Sequence, residues 1–205
     1  MASSAAASCA SSSVVAVVLR HAIETAHIAL GVCGRHWIET KYTWPLNETH
    51  YGAARKNKTP ILAEFGEEQF TIWRRSDDTP PPIKAGSDFD ATGLRYADVP
   101  SEIRPRTECL MDVLECVLPH WYDHIVPDLQ ADTVVLIAAH GSSLRAIVKH
   151  LDQISDEAVV RLNIPIGIPL HYEPDDDVKP TTAGSYLDPE AAAIAVEAVK
   201  NQGRK

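Results

Sequence analysis

Long apolar runs are missing from this sequence. Nowhere do its 205 residues approach the roughly twenty consecutive apolar positions that a membrane-spanning helix needs. Paired cysteines are missing as well. Cys9, Cys33, Cys109 and Cys116 form neither a CxxC pair nor a zinc-binding spacing, which leaves buried free thiols as their reading and implies no metal. There is no excess of basic charge. Nineteen Lys and Arg against twenty-eight Asp and Glu give a formal charge of −9, which excludes a reader of nucleic-acid backbones. No basic region precedes the short VVAVVL run, the first arginine is Arg20, and no internal repeat divides the chain. The expected compartment is therefore a reducing cytoplasm. What is present is ordinary for a folded domain: 45% hydrophobic and 23% charged residues, in a length that suits one core. A negative total still permits a small anionic substrate, because clustered Arg, Lys and His invert the field inside a pocket.

Along the chain, residues 1–13 read as a disordered Ala/Ser-rich tail and 14–205 as one domain. Val14–Leu19 is short, β-branched and apolar, the pattern of a buried parallel strand. Ala22–Leu30 reads as a helix ended by Gly31 or Gly34, and Trp37–Trp44 as a further strand. Thr59–Arg75 has helical spacing in Leu62, Phe65, Phe70 and Trp73. The loop-rich stretch Asp77–Pro105 has the length of a lid or substrate rim. A helix over Thr107–Ile125 is expected to be capped by its Thr-Glu pair. Thr133–Ala139 is the clearest strand, followed by a helix over Ser142–Leu151, a strand over Ile168–Tyr172 and a last helix over Asp188–Val199. Strands alternating with helices predict an α/β sheet covered on both faces.

The chemistry concentrates at a few junctions. In AAHGSSLR, His140 ends a buried strand where open α/β sheets place ligands, and Gly141 and Ser142 begin a helix whose free N–H groups suit an anion. His140 either donates to a transferring phosphoryl group or merely caps that helix. Arg20 and His21 follow the first strand, an imidazole beside a guanidinium, as a phosphate-accepting nucleophile requires. In LNETHYG, Glu48 is a candidate general acid and base, or a plain solvent-facing carboxylate. Arg74 and Arg75, with Lys58 upstream, form a candidate clamp for carboxylate or phosphate; their place at a helix end also has a dipole rationale.

Together LNETHYG, EFGEEQFTIWRR, DTPPP, RYADVP, LIAAHGSSLRAIVKHLD, LNIPIGIPL and the terminal NQG resemble the 2,3-bisphosphoglycerate-dependent phosphoglycerate mutases of the histidine phosphatase superfamily, from about Ala22 to Lys205. The resemblance implies a three-layer αβα sandwich, missing part of the family's N-terminal strand-helix region. It implies interconversion of 3-phosphoglycerate and 2-phosphoglycerate in glycolysis and gluconeogenesis, through a phosphohistidine primed by 2,3-bisphosphoglycerate. By the same resemblance His140 is the second active-site histidine and Glu48 the proton donor and acceptor. Thr49, His50, Tyr51, Lys58, Arg74 and Arg75 fall at substrate-binding positions, with Arg20 beside them, and Gly141 and Ser142 at backbone phosphate contacts. The implied partners are small phosphorylated three-carbon acids and a sister subunit, in a dimer or tetramer.

The beginning departs from the family. VVLRH runs directly into AIETA, as though the first family motif continued into the second across a gap of roughly fifty residues. His21 therefore aligns in two ways: from its left as the nucleophile, and from its right, where the match through Leu30 continues, at a substrate-binding arginine position. Thr49 stands where the family usually has Arg, Ser142 where it has Asn and Ile166 where it has Thr. Each change removes a donor or charge worth about 1–3 kcal/mol if buried. Missing elements are expected to leave sheet edge and apolar surface uncovered. The alternatives are a phosphatase of the same superfamily and a non-catalytic homologue.

Overall fold

The computed structural model describes residues 11–55, 58–83 and 94–201; the side chains of 55, 58–60, 95 and 198–201 are not described. Residues 1–10 with Cys9, residues 84–93 of the expected lid and the Lys58 side chain therefore lie outside the described residues.

The fold is organised around β1, Ser12–Val17. Its residues Val14, Val15, Ala16 and Val17 are all buried, as a strand covered on both faces requires. It pairs in parallel with β2 (Thr40–Thr43) along one edge and with β3 (Val134–Ala138) along the other, giving the order β2-β1-β3. The alternating side chains of β1 divide the core in two. Val14 and Ala16 meet Ala26 and Leu30 of α1 (Arg20–Val32) on one face. Val15 and Val17 meet Leu110, Val113 and Val117 of α3 (Leu110–His120) and Ala146 and Ile147 of α5 (Gly141–Leu151) on the other. That is the αβα layering expected from the sequence. No helix among the described residues is long and apolar enough to cross a membrane.

Several boundaries differ from the sequence reading, each for a local reason. The first strand stops at Val17 rather than Leu19, because the Val18 N–H donates to Asn47 Oδ1 (3.2 Å) instead of continuing the ladder. Arg20 and His21 consequently open α1 instead of ending the strand. Thr107 does not cap α3: its hydroxyl donates to the Pro81 carbonyl. The cap is Cys109, whose N–H and Sγ both reach Asp112 Oδ2, at 2.9 and 3.1 Å. Pro119, which lacks an N–H, sits near the end of α3, and the chain widens into one π turn at Trp121–Ile125 before α4 (Val126–Gln130). The expected helix ending at Arg75 is present as α2 (Lys58–Arg75), but it is two helical stretches meeting at Gly66, which adopts φ 80°. Phe70 is buried there beside Ile61, Leu62 and Trp73, whereas Phe65 is largely exposed and stacks on Trp73.

After α5 come a short α6 (Asp156–Val159), β4 (Leu170–His171), β5 (Ser185–Tyr186) and α7 (Pro189–Asn201). The late strand is thus far shorter than expected, and it pairs antiparallel with β5 in a two-stranded ladder separate from the main sheet. Of the described cysteines, Cys33, Cys109 and Cys116 are free, and only Cys109 is fully buried. Burial pushes the thiols of Cys109 and Cys116 up to about 11, which keeps both protonated and unreactive. Strand β3 pairs with β1 alone among the described residues. On its α1 side Val134 is 61% and Leu136 39% exposed.

Leu46 follows β2 and is completely buried in the α3–α5 core. Truncating it to Ala is expected to cost about 2–5 kcal/mol in urea unfolding, whereas Val32→Ala at an exposed site should stay within about 0.5 kcal/mol. A Leu46→Ala cost no larger than that of Val32→Ala would show that this core does not hold the fold together.

Candidate active site

The sheet order dictates where a ligand can enter. From β1 the chain passes through α1 to β2 on one side, whereas β3 lies on the other side and leads into α5. The carboxyl ends of β1 and β3 therefore flank a point where the connections diverge, the position at which open α/β sheets bind ligands. Two helices, α1 and α5, begin at this point. Their first-turn N–H groups and dipoles provide positive potential for an anion.

The structure brings His21 and His140 together here. Their ring centroids are 5.4 Å apart with an edge-to-face angle of 68°. His21 is exposed in the first turn of α1, and His140 is half-buried just ahead of α5. The helix-capping alternative for His140 does not hold, because its side chain makes no capping hydrogen bond, and its buried Nδ1 has no partner among the described residues. Burial holds the His140 imidazole below its ordinary value; the Glu48 carboxylate pulls it back up, and His21 pushes it down further. Glu48 is itself exposed. Glu48 and His21 thus both act on the His140 imidazole.

The loop carrying Glu48 is held on either side of it. Asn47 is buried, accepts from Val18 N–H and donates from Nδ2 to the Tyr96 hydroxyl at 2.8 Å. The Ser143 hydroxyl donates to the Asn47 carbonyl, and Thr49 N–H donates to Ser142 Oγ at 3.2 Å. These bonds tie the loop to the start of α5. Thr49 and Ser142, expected to meet the ligand, therefore meet each other. Gly141 is exposed at the first helical position, where its N–H faces no helical acceptor.

Other expected contacts separate into available and engaged groups. Arg74 is exposed, with its guanidinium carbon 4.5 Å from the Tyr51 ring centroid and 5.3 Å from that of Phe70, a cation–π contact that fixes the charge beside Tyr51. Arg75 instead donates from Nη1 to Asn163 Oδ1 (2.8 Å) and the Leu162 carbonyl (3.3 Å). His50 is bound to Glu108 Oε2 through both its backbone N–H and Nδ1, each at 2.8 Å, and its side chain is largely buried. Arg20 pairs with Glu24 at 2.7 Å on the exposed flank of α1, one turn along. The sequence reading missed Asn47, Glu108, Ser143 and Arg145, all buried polar groups that support this site. The signal for Arg145 was a charge within the apolar stripe of α5, adjoining Ala146, Ile147 and Val148.

The signs of these couplings are testable. Because the folded state favours neutral His140 while the unfolded residue binds a proton below about pH 6.5, stability from this group is present above that value and is lost as pH falls toward the lower folded value. His140→Gln is expected to flatten this part of the acid limb in urea titrations. In NMR titrations Glu48→Gln should move the His140 midpoint further down and His21→Gln should move it up. A midpoint indifferent to both changes would show that the three groups do not share a cleft.

No family model matches the chain. Among curated proteins, a 2,3-bisphosphoglycerate-dependent phosphoglycerate mutase of Streptomyces avermitilis is 60% identical over 190 residues, covering 91% of this chain and 75% of the relative. One from Thermobifida fusca is 59% identical over 191 residues, covering 91% and 77%. Among solved structures, one described as mycobacterial hydrolase 1 superposes with a TM-score of 0.60 at 16% identity, covering 87% of this chain and 75% of that one. A mycobacterial glucosyl-3-phosphoglycerate phosphatase superposes with a TM-score of 0.55 at 19% identity, covering 85% and 74%. At such low identity these structures bear on the fold, which is that of the histidine phosphatases. With more than half of its aligned residues identical to mutases of which it covers three quarters, the chain belongs to the 2,3-bisphosphoglycerate-dependent phosphoglycerate mutase family.

Proposed function

We propose that the chain interconverts 3-phosphoglycerate and 2-phosphoglycerate through a phosphohistidine at His21. The observation that carries this reading is the His21–His140 pair at the carboxyl ends of β1 and β3, with Glu48 acting on the same imidazole. Phosphorylated His21 first gives its phosphoryl group to the free hydroxyl of the bound phosphoglycerate: that oxygen attacks phosphorus as the phosphorus–nitrogen bond breaks, and the Glu48 carboxylate takes its proton. The freed ring nitrogen of His21 then attacks the phosphorus of the other phosphate as its bond to the substrate oxygen breaks, and that oxygen takes the proton back from the Glu48 carboxyl. His140 and the N–H groups opening α1 and α5 stabilise the charge on the transferring group. Arg74, held on Tyr51, clamps the far end of the acid together with Lys58, which opens α2.

This donor set fits an organic bisphosphate: imidazoles and helix N-termini at one end and the Arg74 guanidinium at the other. 2,3-Bisphosphoglycerate supplies the phosphoryl group that primes His21. The reaction is assigned to the cytoplasm, in a homodimer or tetramer, without a metal. A second reading as a histidine phosphatase, with water in place of the returning hydroxyl, draws on the fold shared with a named phosphatase. A non-catalytic role draws on the alternative alignment of His21 at a substrate-binding position.

The deciding assay is conversion of 3-phosphoglycerate by purified chain, with and without 2,3-bisphosphoglycerate. His21→Ala and His140→Ala, purified identically, are expected to fall to the host background, and Glu48→Gln to lose about 10²–10⁴-fold in kcat. Free phosphate without isomerisation would favour the phosphatase. Equal background in wild type and variants would mean that the scaffold binds without turning over.

A further inference from the structure

Resting on this reading of the site, we infer that Arg145 is the positioning residue that fixes Arg74 for ligand binding by holding the carboxyl end of α2 against α5. Arg145 lies one turn into α5, only 8% exposed. Its guanidinium does not point at the cleft's anion-binding helix starts. It donates from Nη1 to the Arg74 carbonyl (3.5 Å), and from Nη2 to the carbonyls of Arg75 (3.2 Å) and Val159 (2.9 Å).

These acceptors are the carbonyls that a helix leaves without partners at its end, where the dipole also favours a cation. A planar guanidinium can serve two successive carbonyls of α2 and the last residue of α6 at once. A compact ammonium has no such fork. Burial and neighbouring Arg75 both disfavour the charge, while Tyr51 and Asp77 favour it. Its retention in a buried position therefore depends on those carbonyls. One turn further along α5, Lys149 binds Asp77 (2.6 Å), just beyond α2, and Asp156 (2.8 Å), the first residue of α6. Two cations on one face of α5 thus fasten the α2 end and α6 together. The carbonyl of Arg74 is pinned to the same helix whose N-terminus faces His140, so the distance from the Arg74 cation to the transferring phosphoryl group is set through Arg145.

The test uses full-length Arg145→Lys and Arg145→Met, with Lys41→Met as a control that breaks a distant ion pair with Asp128. Two quantities are read: hydrogen exchange of the backbone amides of residues 72–76, and the Kd for 3-phosphoglycerate by calorimetry. Arg145→Lys is expected to speed exchange across 72–76 and to raise the Kd about tenfold, with Arg145→Met worse on both and Lys41→Met unchanged. If Arg145→Met fails to fold, Arg145→Lys decides alone. Wild-type exchange at 72–76 in Arg145→Lys overturns the inference, and so does faster exchange with an unchanged Kd. If the wild-type chain binds no 3-phosphoglycerate, the reading of the site falls, and the exchange comparison alone then upholds or overturns the strut.

Discussion

Everything at the candidate site depends on the parallel pairing of β1 with β3, from Ser12 opposite Val134 to Ala16 opposite Ala138. Because the strands run in parallel and in register, both chains leave the sheet at the same end. Each turns at once into a helix, so two imidazoles and two helix starts arrive at one place. Shifting that register by one residue would exchange the faces of β1, turning Val15 and Val17 away from α3 and α5. The burial of four consecutive β1 residues between two helix layers is what forbids the shift. The catalytic geometry is in this sense a by-product of packing.

Around that pairing, buried polar groups rather than salt bridges set the fine positions. Asn47 alone reaches Val18, Tyr96 and Ser143, joining the exit of β1, the described part of the expected lid and the start of α5. Each such bond contributes only about 1 kcal/mol, but leaving its buried partner unsatisfied costs more, so the arrangement resists piecemeal loosening. The chain has thus committed His50, Thr49, Ser142 and Arg75 to internal bonds. Among the described residues expected at the site, Glu48, His21 and Arg74 are left exposed. A small set of free groups on a stiff support suits phosphoryl transfer, which demands placement more than complex chemistry.

Much of this was legible in the sequence, and the exceptions share a cause. The strand before His140, the helix after it and the layered α/β class follow from periodicity and from the glycine and serine at the junction. His140, Glu48 and Arg74 were named from local motifs alone. Periodicity does not show whether a side chain is spent on a neighbour far away in sequence. Glu108, which takes both bonds of His50, is 58 residues distant, and Arg145 is about 70 residues from the two α2 carbonyls it serves. The exit of β1 was misplaced for the same reason: Asn47, not anything in VVAVVL, ends that strand. The cap at Cys109 was missed because a thiol is a rare substitute for the hydroxyl or carboxylate usually found there.

The open side of β3 carries a cost of another kind. Val134 and Leu136 stand outward, and the edge strand holds no lysine, proline or bulge between Val134 and Ala138 to discourage a visitor. Such an edge is a template on which any extended chain can add itself, starting with another molecule of the same sequence. Association at that edge would compete with folding for the same backbone groups. The feature that leaves the sheet narrow among the described residues thus also leaves backbone groups of β3 open to pairing.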